Sequence, residues 1–387
     1  MPLANSFLRK EELGKRELKY PLRVFFCENC GLSQLVDIVK PEILFKNYVY
    51  FSSAMPVLPE HFKNYAEEVV NNFVKSKKDL VVEIGSNDGL LLGAIKNLGP
   101  RILGVDPAKN IAKIANERGV ETIAEFFNEK LAGEIVKKYG KAKVMIGNNV
   151  VAHINDHHDL IRGISNLLED DGVFVFEAPY FVDMIENFTF DTIYHEHLSF
   201  LSVKPLMKLL SLFGMEIFDV KKFPVQGNSI RIYSGKIGKH PVLPSVAGFL
   251  RKESKMGIHD FSVCEKLVKD VAEMKNKTVD ILKDLKKSGK KIAGYGAPAK
   301  GNTLLNYYGI GADILDYATE ELLSKIGLYT PGTHIPVANI EDARKNPPDY
   351  YLLLAWNYKD VILEKEKDFR KRGGKFIVPI GKEIEII

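Results

Sequence analysis

The hydrophobic pattern along this chain changes period repeatedly, and each change marks an element. Residues 80–84 (LVVEI) form an apolar run of strand length. Residues 90–97 then take helical spacing, and 102–105 make a second short apolar run. The runs at 144–147 and 173–177 predict strands buried on both faces, with a helix at 157–168 between them. Residues 202–213 predict another amphipathic helix, closed by Gly214, and 228–233 alternate as a half-buried strand does. Further on, Leu267, Val271, Met274, Val279, Ile281 and Leu285 occupy the apolar positions of a long charged helix over 264–287. A second strand–helix–strand series starts at 290, with later strands expected at 314–317, 350–355 and 376–379. Near the start, 21–26 predict a strand entering Cys27-x-x-Cys30.

Alternating strands and helices predict an α/β protein with parallel sheets. The breaks divide the chain into a small N-terminal module (1–60), a first α/β domain (61–240), a helical connector (241–288) and a second α/β domain (289–387). Its 387 residues suit two or three domains. Two nucleotide-type folds in one chain place a site in the cleft between them. Charge is nearly balanced, 54 basic against 50 acidic residues, which gives no argument for nucleic acid as partner. Three cysteines do not make a disulfide framework. The charged first 25 residues exclude an ordinary signal peptide, and no apolar run approaches a membrane span. A cytoplasmic protein acting on a small molecule is expected, of undetermined oligomeric state.

Two glycine turns carry the candidate chemistry. The first, Glu83-Ile84-Gly85-Ser86-Asn87-Asp88-Gly89, follows the 80–84 run, and Asp106 closes the next strand 17 residues after Gly89. At the carboxyl ends of adjacent strands, Gly85 and Gly89 let the backbone turn, and Asn87 tolerates the left-handed region. Asp106 would accept hydrogen bonds from two ribose hydroxyls. This pattern resembles the S-adenosylmethionine site of class I methyltransferases, whereas a dinucleotide turn more often reads Gly-x-Gly-x-x-Gly. The second turn, Gly294-x-Gly296-x-x-Ala299, does satisfy that fingerprint, and Glu320 stands where a ribose-binding acid belongs. Pro298 removes a backbone donor there and Lys300 adds a cation. NAD, a phosphate-bearing substrate and a purely structural turn all remain open for this loop.

Further stretches make the resemblance specific. They are Asn148-Asn149-Val150-Val151-Ala152-His153-Ile154, Asp191-Thr192-Ile193-Tyr194-His195-Glu196-His197, GYGAPAKGNTLL at 294–305, and Pro331-Gly332-Thr333-His334-Ile335-Pro336. With Pro2-Leu3-Ala4-Asn5 and Cys27-x-x-Cys30-Gly31-Leu32, they resemble the deoxysugar 3-C-methyltransferase family along essentially the whole chain. The resemblance implies a zinc-type N-terminal module, a class I methyltransferase Rossmann-like domain and a C-terminal Rossmann-like domain. It also implies methylation of a nucleotide-linked 4-keto sugar beside the ketone. It makes Tyr194, Glu196 and His197 catalytic, with His153 lining the same pocket. Glu83, Gly85, Asn87, Gly89, Asp106 and Asn148 would hold the cofactor, and Tyr50, Lys300, Asn302 and Arg231 the substrate.

This chain departs from the family in three places. The earlier Cys-x-x-Cys pair ahead of Pro2-Leu3-Ala4-Asn5 is missing, so either the start is truncated or this member lacks the metal. Cys27 and Cys30 are half of a tetrahedral set, and zinc is not expected. Gln226 stands where His is usual, and Glu320 where Asp is usual.

Carbon beside a ketone becomes nucleophilic only after a proton is removed and the oxyanion is held. Tyr194-His195-Glu196-His197 offers an acceptor and a phenolic donor together. An extended stretch would put Tyr194 and Glu196 on one face and both histidines on the other. His195-x-His197 as a metal pair lacks a third ligand at suitable spacing, and His153 alone is equally a satisfied core histidine. Tyr48, Tyr50, Ser52 and Ser53 are either sugar contacts or packing and turn residues. The alternatives to a C-methyltransferase are an O- or N-methyltransferase, an NAD-dependent sugar oxidoreductase and a non-enzymatic scaffold.

Overall fold

The computed structural model describes residues 1–45, 51–54, 58–223 and 228–387. At the N-terminus β1 (Val24–Phe26) and β2 (Ser33–Leu35) form an antiparallel hairpin around the Cys27–Cys30 turn.

The central sheet follows from the buried apolar runs. Strands β3 (Leu80–Ile84), β4 (Arg101–Val105), β5 (Thr122–Ile123), β6 (Ala142–Ile146) and β7 (Leu168–Pro179) are parallel, as short buried runs joined by helices require. A short strand, β8 (Ser199–Phe200), leaves this domain to pair with β2. Then β9 (Met215–Phe223) and β10 (Ser229–Lys236) complete the sheet in the order β5-β4-β3-β6-β7-β10-β9, with β10 antiparallel to both neighbours. The half-buried strand expected at 228–233 is therefore an interior strand, because β9 covers its far edge. Strand order reverses between β3 and β6, which puts a ligand crevice at their carboxyl ends. Val82, Leu103, Val144, Met145 and Ile232 are fully buried, each contributing about 1.5–3 kcal/mol of apolar transfer.

The connector holds two helices. Pro244–Met256 is built onto the central domain, where Ser245 donates to Asp219 of β9 at 2.6 Å. Phe261–Lys287 is the long charged helix, capped by the Asp260 carboxylate.

The C-terminal sheet has the order β13-β12-β11-β14-β15-β16, from β11 (Ile292–Tyr295), β12 (Ala318–Glu320), β13 (Val337–Asn339), β14 (Tyr350–Leu353), β15 (Lys375–Val378) and β16 (Glu385–Ile386). All but β16 run parallel. The strand expected at 314–317 lies later, at β12. Ile314 and Leu315 are buried in a turn closed on the Gly311 carbonyl, and backbone hydrogen bonds to β11 begin at Asp316 and Tyr317, just ahead of β12.

The first twenty residues do not stay with the hairpin. Leu8 exchanges backbone hydrogen bonds with Tyr329 at 2.9 and 2.8 Å, and Glu17 accepts from the Gly332 N–H. The N-terminal segment thus ties the C-terminal domain to the central one.

Candidate active site

The first glycine turn is built as its residue types demand. Gly85, Asn87 and Gly89 all have positive φ, at 65°, 49° and 77°. A Cβ on Gly85 would sit 2.3 Å from the Val150 side chain, so the turn admits no other residue there. The Asn87 and Ala108 N–H groups each donate to one oxygen of Asp106 at 2.9 Å, fixing that carboxylate at the end of β4. Burial raises the Asp106 carboxyl above its ordinary range despite those two donors. Burial, with Asp106 and Asp88 adding their charge, pushes Glu83 well above the carboxylate range.

Among the described residues, several buried polar atoms around these strand ends have no partner: Glu83 Oε2, Asp88 Oδ1, Asn148 Nδ2 and Asn149 Oδ1. Buried polar groups are rarely left so. Acceptors with one orphaned donor fit a ligand carrying an ammonium, a carboxylate and a ribose, as S-adenosylmethionine does. Asn148 is fixed by Tyr65 and by the Glu177 N–H at 3.1 and 3.0 Å. The Asn87 side chain accepts from the Ser52 N–H at 2.8 Å, so Ser52 is a closure contact of this turn.

Residues 194–197 are not extended. The His197 N–H donates to the Tyr194 carbonyl at 2.9 Å, forming a turn that brings the Tyr194 and His197 rings to 4.2 Å. His195 points the other way, onto the Pro21 carbonyl at 3.1 Å. The His153 and His197 ring centres are 4.9 Å apart. His197 Nδ1 lies 2.6 Å from the Thr192 carbonyl oxygen, which can only accept; Nδ1 therefore carries the proton and Nε2 keeps its lone pair. Burial first, then His153, holds His197 well below the ordinary histidine value, and burial lowers His153 to about 4. Both rings are neutral near pH 7. Glu196 accepts from Asn5 Nδ2 at 2.7 Å, a contact from the N-terminal segment.

The C-terminal domain supplies the cation. Lys300, in the first turn of the helix Ala299–Tyr308, is half-buried; desolvation lowers its pKa, with Asp191 opposing that shift. Its Nζ stands 5.1 Å from the Trp356 ring centre, and Trp356 Nε1 donates to Asp191 Oδ2 at 2.6 Å. His197, Thr192, Asn228, Lys300, Trp356 and Asp183 line one cavity between the domains. Asn302 Nδ2 donates to the Ala4 carbonyl at 2.8 Å, while its buried Oδ1 has no partner among the described residues.

Other expected site residues fall differently. Arg231 is 1% exposed and gives its donors to Glu177 and Glu68, at 2.7 and 2.6 Å for the closest contacts. Its guanidinium is stacked 3.5 Å from the Tyr65 ring centre and 4.0 Å from that of Phe223. Arg231 is an internal ion-pair residue here, closed off from a substrate. Tyr50, Tyr48 and Gln226 lie outside the described residues. In the second glycine turn, a Cβ on Gly294 or Gly301 would come within 2.8 Å of Leu354, so these glycines serve helix–sheet packing. Glu320 ends β12 as expected, with Lys325 Nζ 3.3 Å across it.

Cys27 and Cys30 share a turn closed by the Gly31 N–H on the Cys27 carbonyl at 2.7 Å. Among the described residues no group of three or more His, Cys, Asp or Glu could hold a metal ion. Cys264 lies on the Phe261–Lys287 helix, 3.8 Å from the Ser33 hydroxyl. No helix among the described residues is long and apolar enough to cross a membrane. Asp183, Asp191 and Trp356 carried no assigned role in the sequence. The available signals were that Asp191 heads the Tyr-x-Glu-His stretch and that Trp356 is the chain's single tryptophan.

Three family models match in succession: a putative zinc binding domain over residues 1–45, a methyltransferase domain over 60–220 and a C-methyltransferase C-terminal domain over 224–381. Cys27 and Cys30 are the cysteines inside the first match, two of the four ligands usual for a structural zinc site. C-methyltransferase NovU of Streptomyces niveus is 38% identical over 380 residues, covering 98% of this chain and 90% of that protein. A looser likeness, over 47% of this chain and 94% of the other, links it to an S-adenosylmethionine-dependent methyltransferase of Clostridium acetobutylicum (15% identity, TM-score 0.37). An O-methyltransferase from a Brevibacillus brevis multienzyme is similar over 51% of this chain and 78% of the other (13% identity, TM-score 0.36). Neither structural likeness bears on the chemistry. On the relative's whole-length identity and the ordered domain matches, this chain belongs to the three-module C-methyltransferase family and is an S-adenosylmethionine-dependent methyltransferase.

Proposed function

We propose that the chain methylates the carbon beside the ketone of a nucleoside-diphosphate 4-keto sugar, through an enolate. One observation carries this reading: a cavity that sets a neutral histidine, its Nδ1–H held by the Thr192 carbonyl so that Nε2 keeps the lone pair, together with the ammonium of Lys300. An oxygen or nitrogen acceptor needs no oxyanion to be held; a ketone-activated carbon does. His197 Nε2 takes the proton from carbon. Lys300, backed by Asp191, stabilises the negative charge that develops on the ketone oxygen, and the Tyr194 phenol supplies a further donor. Glu196, held by Asn5, orients the same turn. The nucleotide's phosphates suit the start of the Ala299–Tyr308 helix, whose N-terminal dipole favours an anion.

Glu83, Asp106 and Asn148 would hold S-adenosylmethionine, which when bound supplies an electrophilic methyl group. Asp106→Ala should weaken its binding by about 1.5–3 kcal/mol, the worth of charge-assisted hydrogen bonds. Calorimetry reads the change, and unaltered affinity would remove Asp106 from the cofactor site.

The function itself is tested by supplying nucleoside-diphosphate 4-keto hexoses with the methyl donor and locating the new methyl group by NMR. A methyl on ring carbon next to the ketone is expected. A methyl on oxygen or nitrogen would replace this reading with the heteroatom one.

A further inference from the structure

Asp183 stands on the short helix Phe181–Asn187, directly after β7, and lines the cavity that His197 and Lys300 share. Its side chain is 4% exposed. Lys222, from β9, donates to Oδ1 at 2.6 Å. Oδ2 is buried and has no partner among the described residues. A carboxylate oxygen in that state forfeits its hydration and gains nothing in return unless a donor arrives from within the cavity. The other polar groups lining the cavity include Thr189, Thr192, Asn228, His197 and Lys300.

We propose that Asp183 is a specificity-determining residue, whose Oδ2 accepts a hydrogen bond from a ring hydroxyl of the bound sugar. This rests on the 4-keto sugar reading. Lys222 decides which donor is read. Because its ammonium already balances the carboxylate, the pair is neutral as a unit, and a neutral hydroxyl completes it without adding charge to a buried site. A sugar ammonium at the same carbon would bring a second cation beside Lys222. A sugar lacking the group would leave Oδ2 buried and unpaired, and sites built on a polar contact reject such analogues most strongly.

The test is a matched series of nucleoside-diphosphate 4-keto hexoses in which each ring hydroxyl in turn is kept, removed or replaced by an amine. The wild-type chain and Asp183→Ala are compared by kcat/KM with S-adenosylmethionine saturating. One hydroxyl should raise wild-type kcat/KM about 10–100-fold over its deoxy analogue, and Asp183→Ala should abolish that difference. Asp183→Asn, which keeps the side-chain size, should retain part of it, since an amide carbonyl accepts more weakly than a carboxylate. Cofactor affinity measured by calorimetry confirms that each variant is folded; where Asp183→Ala fails this check, Asp183→Asn is read alone. A loss in Asp183→Ala of the same factor for every member of the series would overturn the proposal, and so would a wild-type preference for the amine. Methylation of no member by the wild-type chain would overturn the sugar reading, and this one with it.

Discussion

Removing the imidazole in His197→Ala should slow exchange of the hydrogen beside the ketone by about 10²–10⁴-fold, the usual contribution of a positioned base. The measurement needs no methyl donor: a 4-keto nucleotide sugar is incubated in heavy water with the protein and followed by NMR. Wild-type exchange shows that proton removal and oxyanion stabilisation are properties of the chain's own residues. Its absence with several such sugars would count against carbon as the acceptor. Unchanged exchange in His197→Ala with its loss in Glu196→Ala would move the base to Glu196.

The pH dependence follows from the same burial. A base works only while neutral, and burial holds His197 well below the 6.5 of an ordinary histidine. The acid limb of kcat/KM should therefore lie below pH 6.5, and an acid limb at or above that value would contradict a buried His197 as base.

The second large effect is on stability. Arg231→Ala strips Glu177 of its guanidinium and leaves it buried with the His61 ring, 2.9 Å away, and breaking a buried pair this way costs about 3–5 kcal/mol. For a domain of this size that should lower Tm by roughly 6–20 °C, read by calorimetry or far-UV circular dichroism. Neutralising Glu177 in the same chain, as Arg231→Met with Glu177→Gln, should recover much of the loss. Should Arg231→Ala instead keep Tm and raise only KM for the sugar, Arg231 would return to the substrate site.

Arg231 shows where reading the sequence reaches its limit. An arginine in a motif beside the pocket is as good a substrate contact as any until its neighbours are known. Those neighbours come from afar: Glu177 lies on β7, opposite Arg231 in the sheet, and Glu68 and Tyr65 sit on the helix Leu58–Phe73. Nothing near 231 announces them. The turn at 194–197 is a smaller case of the same kind. Extended and turned backbones are both compatible with Tyr-His-Glu-His, and the choice fell to the hydrogen bond between His197 and Tyr194, with the Pro21 carbonyl drawing His195 away.

What the sequence by itself determined is what local backbone chemistry controls. Buried strands announce themselves as short apolar runs because both faces of a parallel sheet are covered. The Gly85–Gly89 turn is legible because positive φ at three of five residues admits few residue types. Asp106 is legible because it closes the adjacent strand in a known connection. Only the tertiary structure decided which polar groups meet at the cavity and behind its wall. Lys300, Asp191, Trp356 and Asp183 come from four separate segments, and no spacing rule links them. Their roles depend on desolvation and on which carboxylate oxygen is left without a donor. Burial and pairing of that kind exist only once the N-terminal segment, the central sheet and the C-terminal domain have closed on one another.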